Sequence, residues 1–290
     1  MIKLYFKKMV NILLEYFWPA PHIMTSEETI HQLAEEGRSL GRFGDGEMML
    51  IQNSGDLKFQ RYDPLLAERL SQVLSSKEEG FLVGIPLVFS KKDLRMRNES
   101  SADFWRANLR NTRFEWYRRI DFRRIYANST FTRNYLTLRD KSSSKDYFDR
   151  VKTIWEKRRV LMVEGSKSRV GVGNPLFSNA LTVKRIICPS ENAFDCYEQI
   201  LSAVLKLSKE HLVLISLGPT ASVLAYDLFQ NGYQAIDIGH IDIEFEWFLH
   251  GSIERELIPG KEVAEAGGMR EDELCMNAEY RKQIIETITV

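Results

Sequence analysis

Four stretches of this sequence gather residue types able to do chemistry. The first is Arg42-Phe43-Gly44-Asp45-Gly46-Glu47, with two carboxylates two positions apart. Hard divalent cations such as Mg²⁺ or Mn²⁺ take oxygen donors, often only one or two carboxylates, with phosphate and water completing the shell. Asp45 and Glu47 are therefore candidate metal ligands, and Gly46 would permit a tight turn. A lone D-x-E pair also occurs in many solvated turns, so spacing alone is weak support.

The second stretch runs from Gly165 to Pro175 and is rich in small residues. Backbone N–H groups in such a loop can cradle phosphate, and Lys167 and Arg169 could neutralise a diphosphate. Ser168, Arg169, Gly171, Gly173 and Asn174 are the candidate contacts. It is not a Walker loop, because no Gly-Lys-Ser/Thr occurs, and Leu176 breaks the G-x-G-x-x-G fingerprint. A plain surface loop is the competing reading.

The third is Gly218-Pro219-Thr220. Thr220 is placed to N-cap a helix whose free N–H groups would face an anion, or simply to cap it. The fourth is Asp237 to Trp247, where polar and apolar residues alternate from His240 to Glu246. As a strand, it would put His240, Asp242, Glu244 and Glu246 on one face. Clustered carboxylates raise one another's pKa, as a general base requires. If the chain instead turns helical near Asp242, that shared face is lost and only proximity survives.

The elements that must position these residues are legible from periodicity. Pro19 and Pro21 close an amphipathic start, residues 1–22. Thr25-x-x-Glu28 predicts a capping box and a helix to about Glu36, stopped by Gly37. Strands are expected at Ser39 to Phe43 and Phe81 to Leu87, with a helix from Asp63-Pro64 to about Ser75 between them. Beyond Val151 the expected strands are Val160 to Val163, Val183 to Ile187, Leu212 to Leu217 and Gln234 to Ile238. Helices are expected at Ala193 to Leu207 and from Gly218 to Asn231. Strand, turn, helix, turn, strand at these lengths predicts right-handed βαβ units and a parallel sheet. No Pro/Gly/Ser-rich linker divides residues 23–290, which predicts a single domain. The first and fourth stretches then fall at the carboxyl edge of that sheet, where open α/β folds bind ligands.

Residues 91 to 141 differ in kind, with fourteen Lys or Arg against six Asp or Glu and nine large aromatics interleaved. They predict a helical, basic-aromatic insertion with a break near Asn128. Such a region could stack bases and pair phosphates, but no nucleic-acid module matches, so nucleic acid is not expected as a partner. A glycan or lipid-linked acceptor could use the same aromatics.

Composition sets the outer limits. The chain has 290 residues, 40 basic and 40 acidic, and is 44% hydrophobic, which excludes a wholly disordered protein. Three cysteines (Cys188, Cys196, Cys275) without a C-x-x-C pair argue against a disulfide framework or zinc site and fit a reducing compartment. No apolar run approaches the roughly 18 residues that cross a bilayer. At the start, Ile2, Phe6, Met9, Leu13 and Phe17 recur at helical spacing beside Lys3, Lys7 and Lys8. That pattern predicts a helix lying on an anionic membrane, on its own domain or on a partner subunit. The expected location is cytoplasmic, at most peripheral to the inner membrane face. The zero net charge conceals an acidic tail, about 251–290, expected to be solvated.

Taken together, R-F-G-D-G-E at 42–47, S-R-V-G-V-G-N-P-L-F at 168–177, N-A-F at 192–194, L-G-P-T-A at 217–221 and D-I-G-H-I-D-I-E-F-E-W at 237–247 resemble the bacterial glycosyltransferases of the GT-D fold. The resemblance spans roughly residues 25 to 250. It implies a Rossmann-like α/β domain, a mostly parallel sheet flanked by helices, that binds a nucleotide sugar, typically a UDP-hexose such as UDP-glucose or UDP-galactose. It implies Mn²⁺ or Mg²⁺ held by Asp45 and Glu47, and inverting transfer to a glycan, glycoprotein or lipid-linked acceptor in glycoconjugate or polysaccharide synthesis. Arg42, Phe43, Ser168, Arg169, Gly171, Gly173, Asn174, Asn192, Gly218, Pro219 and Thr220 then fall around the donor. Asp242 or Glu244 would be the base, with His240 beside phosphate or sugar. Pro175 departs from the pattern, which has an acidic residue there. The rival readings are a metal-dependent phosphohydrolase or phosphotransferase using the same carboxylates, and a nucleic-acid-binding module using residues 91 to 141. Self-association is left open.

Overall fold

The computed structural model of the chain describes residues 2–263, 266–269 and 278–289. Its strands are β1 (His22–Ile23), β2 (Ser39–Arg42), β3 (Phe81–Ile85), β4 (Ile125–Asn128), β5 (Arg159–Gly165), β6 (Thr182–Cys188), β7 (Leu212–Ser216), β8 (Gln234–Asp237), β9 (Glu262–Val263), β10 (Gly268–Met269) and β11 (Ile284–Thr287). The helices are α1 (Ile2–Phe17), α2 (Ser26–Ala34), α3 (Asp45–Ile51), α4 (Pro64–Ser75), α5 (Lys91–Arg95), α6 (Glu99–Tyr117), α7 (Ser144–Val151), α8 (Tyr197–Leu205), α9 (Pro219–Gln230), α10 (Ile241–His250) and α11 (Ala278–Gln283).

Nine strands form one sheet in the order β1-β4-β3-β2-β8-β7-β5-β6-β11, and every neighbouring pair is parallel. Parallel sheets need both faces covered. Period-two alternation supplies two buried faces from single strands: Val213 and Ile215 join one core with α4, α6, α8 and α9, while Leu212 and Leu214 join the other with α2, α7 and α10. The chain moves outward from β2 to β3 and β4, then returns to fill the other half. The two halves meet where β2 lies beside β8, a topological switch point.

Three expectations change. Residues 91 to 141 are not a helical insertion: α5 and α6 form the crossover from β3, and Ile125–Asn128 returns as strand β4 inside the sheet. Two of its arginines are internal. Arg97 donates to Thr130 Oγ1 at 2.7 Å, and Arg113 donates to the Phe89 carbonyl at 3.1 Å and the Tyr117 hydroxyl at 2.9 Å. Burial lowers the Arg97 pKa to about 10. The C-terminal stretch is not simply a solvated tail, because Ile258, Lys261 and Val263 are buried and β11 adds an edge strand to β6. Finally, the run after β8 is helix α10 rather than a strand. Its apolar residues recur at helical as well as alternating intervals, and packing against α7 decides between them.

Elsewhere the local signals hold. The Thr25 hydroxyl accepts the Glu28 N–H at 3.1 Å and the Glu28 carboxylate accepts the Thr25 N–H at 2.7 Å, a complete capping box for α2. Cys188 and Cys196 are free and buried, and Cys275 lies outside the described residues. Thr25→Ala should lower unfolding free energy by about 1 kcal/mol in urea denaturation, since it removes one cap from an otherwise intact helix.

Candidate active site

The switch point between β2 and β8 is built around one guanidinium. Arg42, at the end of β2, donates from Nε to the Asp237 carbonyl and from Nη2 to Asp237 Oδ1, both at 2.9 Å. Its Nη1 reaches the Ser129 carbonyl at 3.1 Å and Thr132 Oγ1 at 2.8 Å. Ser222 of α9 joins the same group, accepting the Arg42 N–H at 2.9 Å. Arg42 therefore ties β2, β8 and the turn after β4 together. Asp237 is buried, which raises its pKa against the pull of Arg42. Phe43 is wholly buried and acts as a core residue, not as an exposed contact.

Directly after Phe43 the chain enters α3, so Gly46 lies inside a helix rather than in a tight turn. Asp45, at the first helical position, is exposed. Glu47 is half-buried and folds back so that Oε2 accepts the Gly44 N–H at 2.7 Å, and its own N–H also supports the carboxylate. Burial raises the Glu47 carboxyl to about 7, assisted by nearby Asp237 and opposed by Arg42. Two hard oxygen donors at the carboxyl end of β2 fit a Mg²⁺ or Mn²⁺ ion that draws its remaining ligands from phosphate and water. No group of three or more His, Cys, Asp or Glu side chains suited to a metal occurs among the described residues. Phosphate and water would therefore have to supply most of the shell.

On the β7 side, Gly218 has φ +54° and caps α9, with Pro219 and Thr220 as the first two helical residues. Thr220 is therefore not the N-cap, and its buried hydroxyl has no hydrogen-bond partner among the described residues. The ring of Phe59 lies against Gly218, so closely that a Cβ there would sit 2.5 Å from it. Asn192, itself left-handed at φ 51°, holds that segment: its N–H donates to the Phe59 carbonyl at 2.8 Å and its Oδ1 accepts the Arg61 N–H at 2.8 Å. Sequence reasoning missed Phe59, because an isolated aromatic in a polar loop carries no periodic signal.

The loop after β5 is fastened rather than free. Arg169, left-handed at φ 46°, donates to the Gly260 carbonyl at 2.7 Å, and Ser168 closes a turn onto the Gly165 carbonyl at 2.9 Å. Gly171 and Gly173 take φ of +73° and +83°, and a Cβ at Gly171 would meet Phe177 at 2.3 Å. Asn174 Nδ2 donates to Asp242 Oδ1 and to Glu246 Oε1, both at 2.7 Å. The wholly buried Lys261 donates to Asp242 Oδ2 at 2.7 Å and Glu246 Oε1 at 2.6 Å. One turn of helix α10 separates Asp242 from Glu246, which puts both on one face and Glu244 on another. Glu244 Oε2 accepts the N–H groups of Tyr135 and Leu136 at 2.9 and 3.0 Å. Burial raises its pKa, with Arg133 the chief opposing charge. His240 precedes α10, its ring 5.8 Å from that of Trp247.

The structure thus gathers Arg42, Asp45 and Glu47 with Asp237, brings Asn192 and Gly218 together through Phe59, and gathers Asn174 with Asp242. It does not place the acidic residues of 240–246 on a single face. Lys261, Glu164 and Arg185 were also missed; Glu164 pairs with Arg185 at 2.5 Å inside the sheet. The only hint was an acid at the end of an apolar strand, and Lys261 sits in a stretch that is acidic overall.

An all-parallel, doubly wound sheet with carboxylates and a helix N-terminus at its switch point defines the class of open α/β proteins that take ligands at the carboxyl edge. The family model described as glycosyltransferase GT-D fold matches residues 40–266. This chain belongs to that glycosyltransferase family. It is 38% identical over 267 residues to a probable glycosyl transferase, Gly, of Streptococcus gordonii, covering 92% of this chain and 39% of that protein. It is 36% identical over 264 residues to the glycosyltransferase GlyD of Streptococcus pneumoniae serotype 4, covering 90% of this chain and 32% of that one. The chain thus spans well under half the length of these curated relatives. A solved structure of a domain of unknown function with a distinct glycosyltransferase fold superposes with a TM-score of 0.88 at 36% identity, covering 99% of this chain and all of the other. A glycosyltransferase structure from Streptococcus sanguinis does so with a TM-score of 0.84 at 37% identity, covering 93% of this chain and all of that one.

Gly239 has φ +44°, and a Cβ there would lie 1.7 Å from Arg42 Nη2. Gly239→Ala should therefore displace the guanidinium and cost at least about 2 kcal/mol in urea denaturation. A second expectation concerns pH. A carboxyl whose folded pKa is raised binds its proton more tightly folded than unfolded, so its contribution to stability falls as pH rises from the ordinary carboxylate range towards the raised value. Glu244→Gln keeps the acceptor for both N–H groups and removes the titration. Thermal midpoints measured from pH 4 to pH 8 should fall less steeply with pH in that variant than in the parent.

Proposed function

We propose that this glycosyltransferase moves a hexose from a UDP-sugar to a hydroxyl of a glycan, glycoprotein or lipid-linked acceptor, with inversion at the transferred carbon and with Mn²⁺ or Mg²⁺. The observation that carries the reading is the exposed Asp45 with the Glu47 carboxylate at the β2/β8 switch point. Bound there, the ion would offset charge developing on the leaving diphosphate.

The remaining work falls to the chain. Arg42 and Asp237 hold the end of β2, and hence the start of α3, in register with β8, which fixes where Asp45 and Glu47 point. The amino end of α9, with the unpartnered Thr220 hydroxyl, offers hydrogen-bond donors to a phosphate oxygen. Phe59 covers Gly218 and narrows the mouth on that side. Asp242 and Glu244 are buried and engaged by Lys261, Asn174 and backbone N–H groups, so the geometry favours a positioning part for both over proton abstraction.

Calorimetric titration with a panel of UDP- and GDP-sugars, with and without Mn²⁺, tests the reading. Binding of one UDP-hexose, strengthened by Mn²⁺, is expected. Asp45→Ala should keep the parent's circular dichroism and thermal midpoint while losing the metal-dependent part of binding and transfer. A panel without any sugar-nucleotide binding, or phosphate release from the donor with no acceptor present, would overturn it in favour of a phosphohydrolase.

A further inference from the structure

Helix α1 is turned inside out. The face it lays on α6 is anchored by a polar residue: Asn11 is buried, donating to the Arg110 carbonyl at 2.9 Å and accepting the Phe114 N–H at 2.7 Å. Leu14 packs inward on the core, but most of the other described apolar residues point away from the protein. Met9 is 51% exposed, Ile12 43%, Leu13 47%, Tyr16 64% and Phe17 81%, with Trp18 following at 53%. Positions 9, 13, 16 and 17 form one stripe at helical spacing. An isolated exposed leucine needs no explanation, but a continuous stripe of six large apolar side chains does.

The surroundings of the stripe are basic. Lys91 places its Nζ 4.8 Å from the centre of the Tyr16 ring, which brings exposed Lys91, Lys92 and Arg95 of α5 alongside the stripe. Lys8 and Arg110 are exposed along α1 and α6. Between residues 91 and 119 there are nine Lys or Arg against four Asp or Glu, and residues 3, 7 and 8 are all lysine. Of the acids closest by, Glu15 faces Arg113 at 3.9 Å and Asp93 caps α5 through the Ser90 N–H at 3.0 Å. An apolar stripe ending in Tyr, Phe and Trp, rimmed by cations, complements the boundary between anionic headgroups and acyl chains.

We propose that α1, together with the basic rim of α5, docks this enzyme on an anionic lipid surface, lying in the plane of the interface. No described helix is long and apolar enough to cross a membrane, so the contact is peripheral. The inference does not depend on the donor sugar.

The test is co-sedimentation of the full chain with vesicles of phosphatidylcholine alone and of equimolar phosphatidylcholine and phosphatidylglycerol. Pelleting with the anionic vesicles, weakened by salt, is expected, with little on phosphatidylcholine. The doubly substituted Leu13→Ser, Phe17→Ser variant should bind at least about tenfold more weakly with an unchanged thermal midpoint, because both side chains are exposed. Lys8→Glu with Lys91→Glu should abolish the preference for phosphatidylglycerol. A chain that stays in the supernatant with anionic vesicles, or a serine variant that pellets like the parent, would overturn the proposal. So would a dimer in sedimentation velocity that the serine variant dissolves while vesicles bind neither protein, which would assign the stripe to a second copy. Sugar-nucleotide binding is read separately, so either proposal can fail alone.

Discussion

The clasp between Arg42 and Asp237 is the constraint from which the site follows. In an all-parallel sheet, β2 and β8 are neighbours in space but nearly 200 residues apart in the chain, and no turn joins them. Two of the four hydrogen bonds from one guanidinium close that gap at the carboxyl edge, and the other two reach the turn after β4. A buried carboxylate without its cation would be costly, so the pair holds as a unit. Gly239 is the condition that lets it form, because no other residue leaves room for the guanidinium.

A second buried ionic group does comparable work on the opposite side. Lys261 comes from the C-terminal stretch and closes over Asp242 and Glu246, while Asn174 reaches the same carboxylates from the loop after β5. The loop is therefore also a strut. Its left-handed residues, Arg169, Gly171 and Gly173, serve a compact path against Phe177 and Gly260. The segment carrying Phe59 is tied down through Asn192 and through the Arg61–Asp195 ion pair.

Charge distribution follows the same division. Arginines that looked like a surface patch, Arg97 and Arg113, are internal struts, whereas the cations of α5, Lys91, Lys92 and Arg95, stay exposed and border the apolar face of α1. A net charge of zero thus averages over buried pairs, an outward basic rim and an acidic C-terminal stretch that supplies a lysine to the core.

How much of this was legible follows from the range of each interaction. Caps, turns and strand alternation are local, so Thr25 with Glu28, Asp63 before Pro64, and the strands from β5 to β8 could be read directly from neighbouring residues. The motif at 42–47 could be placed at a strand end for the same reason. The segment after β8 could not, because its pattern satisfies two periods and only packing against α7 selects the helix. The strand at 125–128 was hidden for a related reason: four residues following one long helix have no identity until β3 offers them a ladder. The sequence by itself determined a parallel α/β fold, most of its central strands and the strand-end position of the motif at 42–47. Tertiary structure alone decided that Arg42 holds strands together, that Asp242 and Glu244 are enclosed, and that the apolar face of α1 looks outward. Those outcomes rest on contacts between residues tens to nearly two hundred positions apart, and no local pattern encodes them.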